Sequence, residues 1–236
     1  MLYLKSKNLI VHELKIRVQL KEDIPVDRVM EVEAGFIDSM LAKDESWLRF
    51  HEENKSKLYS FSGLWPIEKN GVYKKGKCYV ITIRSVDEGF VSYIGMCNHT
   101  DSKMETLEVS YKQISKKLIE KIYTLTPVVL KAEDGYWRKQ KNLDDFERLL
   151  FENAIKKYNQ FTGEKADEDF ELYTDIFFLN RKPISSRYKN IHLIGDKIEL
   201  RISDNPQAQE LAYFITAVGL GENCSRGFGF CNYKWI

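Results

Sequence analysis

From His12 to Leu20 the chain alternates, with Leu14, Ile16, Val18 and Leu20 on one face and Lys15, Arg17 and Gln19 on the other. That period of two predicts a half-buried strand. After a turn around Asp23 to Pro25, the apolar residues Val29, Val32, Phe36, Ile37, Met40 and Leu41 recur every three to four positions. An amphipathic helix with Asp27 near its start as cap is the expectation. Lys57 to Leu64 and Cys78 to Arg84 read as two strands, the second alternating Tyr79, Ile81 and Ile83 with Val80 and Thr82, and Asn70-Gly71 supplies the turn between them. A helical piece near Asp87 to Met96 and a strand near Thr106 to Tyr111 complete β-α-β-β-α-β, the ferredoxin-like arrangement.

The pattern then recurs. Ile122 to Lys131 is β-branched and strand-like, Leu143 to Tyr158 is helical with Phe146, Leu149, Leu150, Ala154 and Tyr158 on one stripe, and Phe170 to Leu179 is a strand. Ile191 to Ile202 reads as one further strand, kinked or turned at Gly195-Asp196. Asn205-Pro206 opens the last helix, with proline at the tolerated first position, and Ala208, Leu211 and Ile215 line its buried side. Phe228 to Trp235 is the final strand. The fold class is therefore α+β, two ferredoxin-like (RRM-like) domains in tandem, 1–120 and 121–236. No linker rich in Pro, Gly or Ser separates them, so the halves are expected to pack tightly and share a groove.

Composition narrows the function classes. With 43% apolar residues, thirty aromatics and only five prolines, the chain is too hydrophobic for disorder. The longest run without Lys, Arg, Asp or Glu is the twelve residues from Gly89 to Thr100, short of the roughly 20 that span a bilayer. Lys5 and Lys7 interrupt what would have to be the apolar part of a signal peptide, so a cytoplasmic protein without membrane contact is expected. The cysteines at 78, 97, 224 and 231 form no CxxC pair and have no histidine at zinc spacing, which speaks against metal ligation and disulfides.

Net charge is only +1, yet it is unevenly spread: 103–141 holds nine Lys and Arg against five acids, 181–201 six against two, and 142–175 four against ten. Screening confines each charge to about 8–10 Å, so a basic face can attract phosphates on a nearly neutral molecule. An ordinary mosaic surface is the alternative.

Gly219, Gly221, Gly227 and Gly229 crowd the segment GLGENCSRGFGF. Here the helix precedes and a strand follows, the reverse of a dinucleotide or P-loop site, and no Gly-Lys-Ser or Gly-Lys-Thr is present, so triphosphate binding is disfavoured. The glycines can form a helix C-cap and a loop whose bare backbone lets a nucleic-acid chain approach, with Asn223 and Arg226 at its centre. A tight connection between two packed elements is the other reading. His51 lies in WLRFHEENKSKLYSFSGL, read as a polar loop with Lys55 and Lys57 close behind. A histidine there can take the proton from a ribose 2′-hydroxyl or give one to a leaving 5′-oxygen, and a lysine can stabilise the phosphorane charge. A surface histidine without a role is the alternative.

These segments together resemble a known family. GLGENCSRGFGF looks like the glycine-rich loop of the RAMP superfamily in CRISPR systems, specifically of its precursor-RNA processing endoribonucleases, the Cas-six family. HEENKSKLYSFSGL resembles that family's catalytic histidine, lysine and aromatic-Ser strand, KKGKCYVITIRS the next strand, and YTLTPVVLK the strand opening the second half. The resemblance runs from about His12 to Tyr233. It implies metal-independent cleavage within each CRISPR repeat of precursor CRISPR RNA, without cofactor, leaving a 2′,3′-cyclic phosphate and a 5′-hydroxyl. By the family's pattern His51 matches the acid-base histidine and Lys57 the lysine that stabilises the transition state. Repeat RNA would be held by Gly219, Gly221, Asn223, Arg226, Gly227, Gly229, Lys55 and Lys139. Other subunits of a type I effector complex, or a second copy of the chain, are the further partners the resemblance suggests.

One departure stands out: several relatives carry a catalytic tyrosine on the first helix, and the corresponding position here is Phe36, with Tyr59 nearby in sequence but on a strand and without a motif match. That departure keeps open a non-catalytic RNA-binding subunit of the same superfamily. A ligand-binding regulator of ferredoxin-like fold is a third class. Lys112, Lys116, Lys117, Lys121, Arg138, Lys139 and Lys141, with Tyr136 and Trp137 interleaved, are the candidates for an RNA face on which bases stack.

Overall fold

A computed structural model describes residues 8–130, 136–139 and 141–236. Lys5, Lys7 and Lys131, used above, lie outside the described residues. The first unit runs β1 (Val11–Leu20), β2 (Ile24–Pro25), α1 (Val29–Leu41), α2 (Glu45–Glu52), β3 (Tyr59–Phe61), β4 (Val72–Tyr73), β5 (Cys78–Ser85), α3 (Glu88–Met96) and β6 (Met104–Ile114). The second runs β7 (Ile119–Thr124), α4 (Leu143–Thr162), β8 (Tyr173–Phe178), β9 (Ile184–Tyr188), β10 (Ile191–Gly195), β11 (Ile198–Ile202), α5 (Pro206–Val218) and β12 (Cys231–Trp235).

The four-stranded sheets have the orders β3-β5-β1-β6 and β12-β7-β11-β8, and all neighbouring strands are antiparallel. In both, the first and third strands of a β-α-β-β-α-β unit occupy the centre and the second and fourth the edges, the ferredoxin-like order read from the sequence. Burial explains the register. Leu14, Ile16, Val18 and Leu20 of β1 are almost wholly buried with Ile81 and Ile83 of β5, while Lys15 and Arg17 face solvent. Slipping the strand by one residue would exchange those two sets. Among the described residues no helix is long and apolar enough to cross a membrane.

Four local expectations are corrected. His51 is not in a loop: it is the penultimate residue of α2, whose N-cap Asp44 accepts hydrogen bonds from the Ser46 and Trp47 amides and whose Trp47 and Phe50 pack toward Phe90 and Tyr93 of α3. Asp27 caps nothing, because a 3-10 turn at Val26–Arg28 precedes α1 and the helix cap, Arg28, has no side-chain cap bond. Asn70-Gly71 leads into β4, which pairs with β2 rather than closing a β3-β5 hairpin. Ile191 to Ile202 is two strands in different sheets: β10 pairs with β9 in a separate hairpin, and β11 enters the second sheet.

The two units are joined through α5, which is buried on ten of its thirteen positions because it lies against β1, β3 and β5 as well as its own sheet. Ser60 Oγ donates to the Ala217 carbonyl at 2.8 Å, the Val11 amide to Tyr213 Oη at 3.2 Å, and Tyr213 Oη to the Ile114 carbonyl at 2.5 Å. Arg84, 5% exposed, donates Nε to Glu13 at 2.7 Å and Nη1 to the Cys231 carbonyl at 2.6 Å, and its guanidinium stacks on Phe230 and Tyr233. A buried charge spanning the seam needs such complete satisfaction, since desolvating it unpaired costs several kcal/mol (roughly).

Candidate active site

Each unit sends side chains to one edge of the seam. From α1 comes Asp38, from α2 His51, from the stretch after α2 Lys57, and from the loop between α5 and β12 Arg226. Asp38 is the meeting point: its Oδ1 lies 3.2 Å from His51 Nδ1 and its Oδ2 accepts from Arg226 Nη1 at 2.5 Å. These three side chains keep 27%, 29% and 23% of their surface (His51, Asp38, Arg226), enough for a ligand to reach them. Burial acts to lower the Arg226 pKa, but Asp38 together with Tyr188 and Tyr59 outweighs it, and the guanidinium is held more firmly protonated. Behind the pair, Tyr59 Oη reaches the Ser225 carbonyl at 3.5 Å, and the Tyr188 ring lies 6.0 Å from the Arg226 guanidinium.

Lys57 folds back on α2. Its ammonium donates to the carbonyls of Phe50 and, at 2.7 Å, Glu53, and sits 4.7 Å from the Phe50 ring centre. Those carbonyls bracket His51 in the chain, so the imidazole and the ammonium share the C-terminal end of one short helix. Burial lowers the Lys57 pKa, aided by the positive charges of Arg226 and Lys55 and opposed by Glu53. An ammonium has three donors, and two are used on the helix end.

The glycines of the 219–229 loop are buried, and packing accounts for them. Gly229, at φ +61°, would place a Cβ 1.8 Å from the Leu220 carbonyl oxygen, and Gly221, at φ +71°, one 2.7 Å from the Val129 oxygen. Gly219 backs onto Cys224, and Gly227 lies flat against the Phe61 ring. Below them Lys157, itself buried, donates to the Gly219 and Gly221 carbonyls. The loop is thus a packed connection whose partly exposed residues include Asn223, Ser225 and Arg226, with Asn223 in the left-handed region at φ 59°.

The remaining candidates scatter. Lys55 is exposed and 3.3 Å from Glu53. Lys139 is exposed on the turn at Trp137–Lys139, which packs on Asp196 of the second unit. Tyr136 and Trp137, read as stacking platforms, belong instead to the second core, both bonding Asp196. Their neighbours are engaged locally: Lys112 with Glu13, Lys116 with Glu210, Lys121 with Glu199 and Arg138 with Asp196. Phe36 is fully buried and packs on His99, so its side chain points away from any ligand. Asp38 was missed by sequence reading. Its only signal was a polar position on a helix otherwise read for its apolar stripe.

The comparisons with known proteins agree with the fold. The C-terminal family model of the CRISPR-associated protein Cas6 matches residues 109–233. A curated relative, CRISPR-associated endoribonuclease Cas6 2 of Methanocaldococcus jannaschii, is 27% identical over 241 residues, covering 93% of this chain and 98% of its own length. Among solved structures, one described as CRISPR associated protein Cas6 superposes with a TM-score of 0.70 at 24% identity, covering 95% of this chain and 99% of that one. Another, described as a RAMP protein binding different RNA substrates, gives 0.71 at 18% identity over 94% and 99%. This chain belongs to the Cas6 family.

Proposed function

We propose that this protein is a metal-independent endoribonuclease that binds CRISPR repeat RNA and cleaves precursor CRISPR RNA once within each repeat. The observation that carries the reading is the placement of His51, 3.2 Å from Asp38, together with Lys57 and with Arg226 of the glycine-rich loop, on one partly exposed edge of the seam. In the reaction the 2′-oxygen bonds to phosphorus as the bond to the 5′-oxygen breaks, giving a 2′,3′-cyclic phosphate and a 5′-hydroxyl. His51 takes the 2′-hydroxyl proton or returns one to the 5′-oxygen. Lys57 keeps its two carbonyl bonds and offers its third donor to the phosphorane, whose added negative charge it stabilises. Arg226 and Asn223 hold flanking phosphates, and the packed glycines keep them at a fixed height. Alignment of the 2′-oxygen behind the scissile bond supplies much of the acceleration, which suits a site with Phe36 in place of a third catalytic hydroxyl.

Synthetic repeat RNA should be cut in EDTA, and a single 2′-deoxy substitution at the cut site should block cleavage. His51→Ala should lower the single-turnover rate by about two to four decades while RNA affinity survives. Inhibition by EDTA, or cleavage of the deoxy substrate, contradicts the mechanism. The buried Phe36 favours one second reading, a non-catalytic repeat-RNA-binding subunit of an effector complex. Equal rates for wild type and His51→Ala would decide for it.

A further inference from the structure

The Asp38 carboxylate has no place in the chemistry above except through His51, yet its surroundings are specific. Oδ2 is taken by the Arg226 guanidinium at 2.5 Å. Oδ1 is shielded from water and, among the described residues, has no well-aligned hydrogen bond, while His51 Nδ1 lies 3.2 Å from it. Catalytic hydrogen bonds are often loosely aligned before substrate binds and tighten in the complex. The carboxylate is an acceptor only, so the bond requires a proton on Nδ1 and leaves the Nε2 lone pair free.

We propose that Asp38 is a positioning residue that fixes the tautomer and ring orientation of His51, and that Arg226 from the other unit pins Asp38 in turn. The inference rests on His51 acting as the acid-base group. It makes catalytic competence depend on the seam: the glycine-rich loop, besides meeting RNA, sets the proton state of a histidine it does not touch. The chain of cause is Arg226 to Asp38 Oδ2, Asp38 Oδ1 to Nδ1–H, and Nε2 to the ribose or leaving group.

Arg226 makes the Asp38→Asn variant informative. A guanidinium can only donate, so the amide oxygen must turn toward Arg226 and the amide NH2 toward His51. The ring then accepts at Nδ1 and carries its proton on Nε2, the wrong tautomer for a base. In the serine-protease triad the equivalent Asp→Asn change, with geometry intact, lowers the rate by about four decades.

The test uses the full chain labelled with 15N-histidine, at a pH where the ring is neutral, with His51 assigned by comparison with His51→Gln. Wild type should show the Nδ1–H tautomer, and Asp38→Asn the Nε2–H tautomer. Single-turnover cleavage of repeat RNA by Asp38→Asn should fall at least a hundredfold, with binding changed less than threefold. Asp38→Ala, which removes both oxygens, should give mixed tautomers and a smaller loss. In Asp38→Asn/Arg226→Met, the unpinned amide should rotate and restore part of the Nδ1–H signal without RNA present. The same tautomer in wild type and Asp38→Asn, or wild-type cleavage by Asp38→Asn, overturns the proposal. Persistence of Nε2–H in the double variant removes Arg226 from it. If wild type cleaves no repeat RNA, the proposed function fails, while the nitrogen spectra still decide whether Asp38 controls His51.

Discussion

At the residue scale, a buried carboxylate behaves according to its partner. Glu13 and Glu33 are both buried, but burial of Glu13 is outweighed by Arg84 and Lys112, which hold its pKa below the usual value. Among the described residues Glu33 has no hydrogen-bond partner for either oxygen, and burial raises its pKa well above the ordinary 4.5. The folded state therefore keeps a proton on Glu33 that the unfolded state releases above about 4.5, and stability falls as pH rises toward the folded pKa. For Glu13 the sign is opposite: its contribution is present above the unfolded pKa and lost as pH falls through the folded one. Glu33→Gln should thus stabilise more at pH 8 than at pH 4.5 in urea unfolding, and an equal effect at both would refute the linkage. Gly229→Ala should destabilise by at least about 3 kcal/mol, since the Cβ overlaps a backbone oxygen at a positive φ. Neither carboxylate environment is legible in sequence, because a Glu on a strand or on an amphipathic helix looks alike whether its partner is water, arginine or nothing.

At the element scale, periodicity served where one face of an element is buried against one neighbour. β1, α1, β5 and α4 follow the apolar patterns that predicted them, while α5, read with one buried side, is buried on ten of its thirteen positions because both units pack on it. It misled where an element changes neighbour midway. Ile191 to Ile202 carries Ile and Leu along both of its halves, but Gly195 abuts the Val128 carbonyl and Asp196 turns inward, so β10 leaves for the β9 hairpin. Asp196, wholly buried, accepts from Tyr136 Oη at 2.6 Å, Trp137 Nε1 at 2.9 Å and Asn180 Nδ2 at 2.8 Å. Asp196→Ala should orphan three donors, cost about 3 kcal/mol or more, and show in the near-ultraviolet circular dichroism of the Trp137 cluster. The same tertiary logic governs α2. Its eight residues are too few to be a stable helix alone, and it forms because Asp44 caps it, aromatic rings hold it to α3, and Lys57 closes its far end.

At the scale of the whole molecule, the sheets divide between β6 and β7 while α5 and Arg84 tie them together. The expected boundary at 120 falls inside β7 (Ile119–Thr124), and we propose that the two units, divided instead between β6 and β7, are distinct structural units that unfold as one. Arg84→Met should destabilise by about 3–5 kcal/mol, because Glu13 would be left as a buried charge facing Lys112 alone and the Cys231 carbonyl would lose its donor. Denaturation followed by tryptophan fluorescence and by circular dichroism should show coincident transitions in wild type. Separate transitions would mean that the seam is weaker than its buried pair suggests.

The apolar alternation and the 3.6-residue stripes determined two ferredoxin-like units and their order along the chain, because each strand and helix must bury its own face. The glycine cluster and the His51–Lys57 spacing singled out two segments from which the candidate site is built, although His51, expected in a polar loop, sits at the end of α2. Only the tertiary structure decided that Asp38 and Arg226 meet across the seam, that the glycines are needed for packing, and that Lys112, Lys116, Lys121 and Arg138 already have acidic partners. Such pairings join residues up to 188 positions apart, and nothing local in a chain records which distant charge will desolvate beside it.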